Sequence, residues 1–135
     1  MADPDESVRW TEDRVLEAEL GAELVQLLLE SYGTGAGDVR VLFGEDAVVA
    51  FFDDLELQKS EEFLIARGHE ESVLAARSSF QQAIEATFRA AVERIIGRRV
   101  TSFASLTKLD PNYAVEIFRL APRREAVDLD DPDRF

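Results

Sequence analysis

The segment VRVLFGEDAVVAFF, residues 39–52, restricts the fold more than any other stretch of the chain. Apolar residues at alternate positions on both sides of Gly44-Glu45-Asp46 predict a hairpin with strands over about 38–43 and 46–53, and Gly44 is expected to supply a positive φ at its apex. Both phases of the second strand are apolar. Ala47, Val49 and Phe51 point one way, and Val48, Ala50 and Phe52 the other. A strand of this kind needs apolar cover on both faces.

The neighbouring segments supply some of that cover. From Arg14 to Tyr32, Val15, Leu16, Leu20, Leu24, Leu27 and Leu28 recur at three- and four-residue steps, which predicts a helix with one buried face. YGTGAGD ends it, since glycine is costly in a helix. A phosphate-binding loop would need a strand before this run and Gly-Lys-Ser/Thr opening a helix after it; here a helix precedes and a strand follows, so it reads as a C-cap and linker. Residues 56–67 predict a short helix with Ser60 as its cap, and residues 70–96 a long one whose apolar stripe includes Val73, Phe80, Ile84, Phe88, Val92 and Ile96. Gly97 caps that helix. A strand to about Leu109, a type I turn in LDPNY and a strand over about 113–120 complete the pattern.

The predicted order is α-β-β-α-α-β-β, in which 14–32 with its hairpin and 70–96 with its hairpin resemble two loose copies of one unit. The expected fold is α+β, a two-layer sandwich: a four-stranded, mainly antiparallel sheet from two hairpins, with two main helices and one short helix on one face. One domain, 14–120, is expected between a flexible acidic segment, 1–13, from which Trp10 packs back onto the body, and a flexible acidic tail, 121–135.

With 28 acidic residues against 15 Lys and Arg, the net charge of -13 disfavours nucleic acid and anionic lipid, both of which select clustered cations. Residues 14–120 alone carry 18 acids and 11 bases, so the excess is not confined to the ends. Cysteine is absent, which removes disulfides and thiol catalysis. No apolar run is long enough for a membrane-spanning helix and the first residues lack a signal-peptide pattern, so a cytoplasmic protein without direct membrane insertion is expected.

Helices on one face leave the other sheet face apolar, unless the short helix or the N-terminal segment covers it. An exposed patch of that kind signals an interface, and a homodimer is expected through Val48, Val49, Phe51 and Phe52, with Phe80 and Phe88 of the long helix contributing. Little else points to chemistry. His69 is the only histidine and lacks partners at metal-ligand spacing, and the acidic pairs 53–54, 61–62 and 70–71 do not converge as an acid-base couple. No catalytic residue, cofactor or metal is assigned. Arg40, Arg77, Arg98 and Arg99 are candidates for receiving a small anion such as bicarbonate or a carboxylate, in a pocket between the long helix and the sheet.

In order and spacing, GDVRVLFGEDAVVAFF, LQKSEEFLIARG, RSSFQQ and IIGRRV leading to AVEIF resemble the bacterial MpsC-like family over about Val15 to Leu120. Gln58 and Lys59 stand where that family often has Thr-Pro. The resemblance implies a soluble accessory or regulatory domain, not the transporter, in a membrane-potential, cation- and inorganic-carbon-transport context. It carries over no catalytic residue. Glu61, Arg77 and Phe80 match the family's recurrent positions, for which a structural role is expected. The function expected is therefore non-enzymatic: a homodimer that docks on a protein partner, with an anion-sensing domain as the alternative.

Overall fold

The structure, a computed structural model, describes residues 4–123, with side chains from residue 11 onward. Its elements are α1 (Pro4–Tyr32), β1 (Ala36–Phe43), β2 (Ala47–Leu55), α2 (Lys59–Ala66), α3 (Glu70–Ile96), β3 (Val100–Leu109) and β4 (Asn112–Leu120). This is the α+β arrangement expected. The four strands lie in the order β1-β2-β4-β3, every neighbouring pair antiparallel. Each hairpin gives one central and one edge strand, so the two helix-hairpin units are disposed about the β2–β4 pair in an approximate two-fold.

The alternation of the strands decides which side chains form the core. Val48, Ala50 and Phe52 of β2 and Ala114, Phe118 and Leu120 of β4 face the helices, where they pack with Leu20, Leu24 and Leu28 of α1 and Ile84, Phe88 and Val92 of α3. Polar contacts fix the layers at their ends. The Phe43 N–H donates to the Glu17 carboxylate, joining β1 to α1, and Arg89 donates to the Val100 carbonyl while Glu93 accepts from the Val100 N–H, joining α3 to β3.

Four local expectations are corrected. α1 begins at Pro4 and not near Arg14, and proline suits a first helical position. Ser60 is not the cap of α2. Gln58 occupies that place, and its N–H donates to Glu61 at 2.8 Å. Gly44 does not take a positive φ; that conformation falls to Gly33, Gly68 and Gly97, and to Asp54 at 52°. The β3–β4 turn is not type I, because the Asp110–Pro111 bond is cis and Pro111 takes the third turn position. The expected packing of Trp10 and the tail beyond Arg123 lie outside the described side chains.

Candidate functional site

The face of the sheet opposite the helices is built in cross-strand rows. Arg40, Phe51, Val115 and Leu106 form one row and Leu42, Val49, Ile117 and Ala104 the next. Together they make an apolar band across all four strands. Leu42 is 51% exposed, Leu106 52% and Ile117 37%, with Val49, Phe51 and Val115 half-buried beside them. α2 packs against α3 and does not cross this face.

Charged residues rim the band and offset one another. Arg40 pairs with Asp53 at 3.3 Å and lies over the Phe51 ring, 5.1 Å from its centroid, while Arg119 pairs with Asp46 at 3.1 Å. With Lys108 and Asp38 in the same alternation phase, the rim carries three cations (Arg40, Lys108, Arg119) and three acids (Asp38, Asp46, Asp53). On a chain of net charge -13 this face is neutral. An apolar centre with a polar rim is the anatomy of a protein interface.

Of the residues expected at an interface, the structure brings Val49 and Phe51 to this band. Val48, Phe52 and Phe88 are instead enclosed in the chain's own core, because their phase faces the helix layer. Phe80 is partly buried and packs edge-on against Tyr32, with ring centroids 4.7 Å apart.

The arginine candidates do not form one cluster. Arg40 is on the open face, whereas Arg98 donates to the carbonyls of Glu45 and Ala121, tying the first hairpin to the end of β4. Arg99 is exposed between α3 and β3. Arg77, 3% exposed, grips Glu61 bidentately, Nε to Oε2 at 2.7 Å and Nη2 to Oε1 at 2.9 Å. The Tyr32 hydroxyl donates to the same carboxylate at 2.9 Å, and the guanidinium lies 4.7 Å from the Tyr32 ring centre. Burial alone would raise the Glu61 pKa, but the Arg77 guanidinium and the Gln58 N–H hold it below the usual range. Burial and Glu61 push Tyr32 up to about 12. The node staples α2 to α1 and α3, and the family-matching positions Glu61, Arg77 and Phe80 all lie in or against it.

A second polar feature lies on the helix-facing side. A cleft of about 430 Å³ opens between α3 and β3, lined by Ser78, Gln81 and Glu85 from the helix and Ser105 and Thr107 from the strand. Behind Ser105, its register partner Glu116 is completely buried, with Ala50 opposite on β2. Neither Glu116 oxygen has a hydrogen-bond partner among the described residues, nor does Oε1 of Gln81. Burial pushes the Glu116 carboxyl up to about 8, and the neighbouring Ser105 hydroxyl opposes the shift. Sequence reasoning missed this group because β4 is apolar in both phases, and only the shared phase of Glu116 with Phe118 and Leu120 marks it as inward-facing. Among the described residues no group of three or more His, Cys, Asp or Glu is placed to hold a metal ion.

Residues 12–122, which contain all four strands, α2, α3 and most of α1, match the family described as Na+-translocating membrane potential-generating system (MpsC). The chain belongs to the MpsC family. Among the described residues, no helix of this MpsC-family chain is long and apolar enough to cross a membrane. No curated protein and no solved structure matches it.

Proposed function

We propose that this MpsC-family protein is a non-enzymatic accessory or regulatory subunit, acting in the cytoplasm as a homodimer and docking on a protein partner of the membrane-potential-generating system for which its family is named. The observation that carries the proposal is the apolar band of the open sheet face. Water contact with Leu42, Phe51, Leu106 and Ile117 is unfavourable by roughly 25 cal/mol per Å² of apolar surface, a driving force for covering them. A second copy suits this face because its charges cancel, so two copies meet there without the repulsion that the rest of an acidic surface would bring.

The test combines Phe51→Ser with Ile117→Ser, both outside the core. Light scattering should give a dimer for the wild type and a folded monomer for the variant, with circular dichroism unchanged. In a binding assay with purified components of the system, only the wild type should bind. A wild type that is monomeric throughout, or a variant of unchanged mass, would overturn the reading. The anion-sensor alternative draws less support: Arg77 is committed to Glu61, and the cleft between α3 and the sheet is lined by Glu85, with no arginine in its wall.

A further inference from the structure

We propose that the outer edge of β3 receives an extended segment of a protein partner as a fifth strand, one with apolar residues at alternate positions and an acidic residue at each end. The inference rests on the reading that the chain docks on a partner, and it is independent of dimerisation through the open face. β3 lies at the edge of the sheet and pairs with β4 alone. Its phase follows from β4. The Leu120 N–H donates to the Asp46 carbonyl at 2.8 Å, on the β2 side, so by alternation Phe118, Glu116 and Ala114 also bond toward β2. Their partners Phe103, Ser105 and Thr107 therefore turn their main-chain N–H and C=O groups outward, away from β4.

The opposite edge is protected and this one is not. β1 carries Asp38 and Arg40, and its Phe43 N–H is held by Glu17. On β3 only the first residue is engaged in that way: Glu93 and Arg89 take the N–H and C=O of Val100. From Ser102 to Thr107 the strand has neither charge nor proline, and among the described residues no side chain bonds to its main chain. Such an edge is a template for strand addition. The cleft of about 430 Å³ beside it leaves room for alternate side chains of an added strand, and its one wall charge, Glu85, is paired with Arg89 at 2.9 Å. The other side chains would extend the open-face rows that now end at Ala104 and Leu106. Charge sets the two ends. Residues 94–109 contain no acid on a chain of net charge -13, and Arg99 and Lys108, exposed and without an ion pair among the described residues, flank the open stretch. They stand about 30 Å apart along the strand, so a segment of that length with an acid at each end meets a cation whichever way it runs.

The experiment follows backbone amide hydrogen exchange of the full chain by NMR, with the synthetic peptide Asp-Thr-Val-Ser-Val-Thr-Val-Thr-Asp as probe. In the free chain the amides of Phe103, Ser105 and Thr107 should exchange quickly, and those of Ala104, Leu106 and Lys108, bonded to β4, slowly. Saturating probe should slow the first set by about tenfold or more and leave the second unchanged, a period-two pattern that non-specific binding does not produce. Ser105→Pro removes an outward N–H at a position where an edge strand accepts proline, and should abolish the protection. If that variant does not fold, Lys108→Glu decides, since it should weaken the probe several-fold at low salt. Absence of the pattern at millimolar probe, or unchanged affinity in the folded variant, overturns the proposal. So does protection of the first set before probe is added: independent of protein concentration it means that the chain covers its own edge, and rising with concentration it means that a second copy does. A dimer without the pattern removes the added strand alone, and a monomer that shows it removes the dimer alone.

Discussion

Two buried carboxylates behave in opposite ways because one, Glu61, is paired with a cation and the other, Glu116, is not. Glu61 is held by Arg77 and Gln58, so its folded pKa is depressed; its stabilising contribution is present above the unfolded value of 4.5 and is lost on acidification. Glu116 is raised from 4.5 to about 8 by burial. The native state therefore keeps a proton that the unfolded chain releases: the stability associated with Glu116 is full below 4.5 and is lost as pH rises through about 8. The urea midpoint of the wild type should fall between about pH 5 and pH 8, by an amount worth a few kcal/mol. Glu116→Gln should flatten that limb and leave the acid limb in place; parallel profiles would contradict the assignment. At the other carboxylate, Arg77→Met should lower stability by about 3–5 kcal/mol, because Glu61 is left charged and buried. Adding Glu61→Leu should restore part of that loss, as read from urea midpoints in a double-mutant cycle.

Elements were legible where one local signal dominates. α3 begins and ends where predicted because Gly97 stops it in the left-handed conformation, φ 77°, with its N–H donating to the Glu93 carbonyl. Nothing lies within 4 Å of where a Cβ would stand at Gly97, so Gly97→Ala should lower stability by about 1 kcal/mol through backbone strain alone. The difference in urea midpoint checks this, and Gly97→Asn, which tolerates that conformation better, should lose less. The start of α1 was not legible, because Pro4 and the acids after it read equally as an unstructured segment and as a favourable first turn. The cap of α2 was hidden for another reason: Gln58 is a poor cap by residue type, and its place depends on Glu61 being anchored by Arg77, a residue sixteen positions away. The two-sided apolar character of β2 was plain, but which phase faces the helices depends on tertiary packing. Val48 and Phe52 therefore read as interface residues until the helix layer is in place.

At the scale of the molecule, the two faces of one sheet meet different needs: the inner face builds the core and holds Glu116, and the outer face carries an apolar band with balanced charge. Net charge and local charge then act on association in opposite senses. The band attracts a second copy through apolar burial, while the remaining surface of each chain, within a total of -13, repels it at long range. Salt screens the repulsion without weakening the apolar contact, since the Debye length shrinks from about 30 Å at 0.01 M to about 8 Å at 0.15 M. The proposed dimer should therefore tighten as choline chloride is added, and its Kd from sedimentation equilibrium should fall across that range. An interface built on cross-chain ion pairs from Arg40 and Arg119 would respond in the reverse direction, loosening with salt, so the sign of the dependence separates an apolar interface from an electrostatic one.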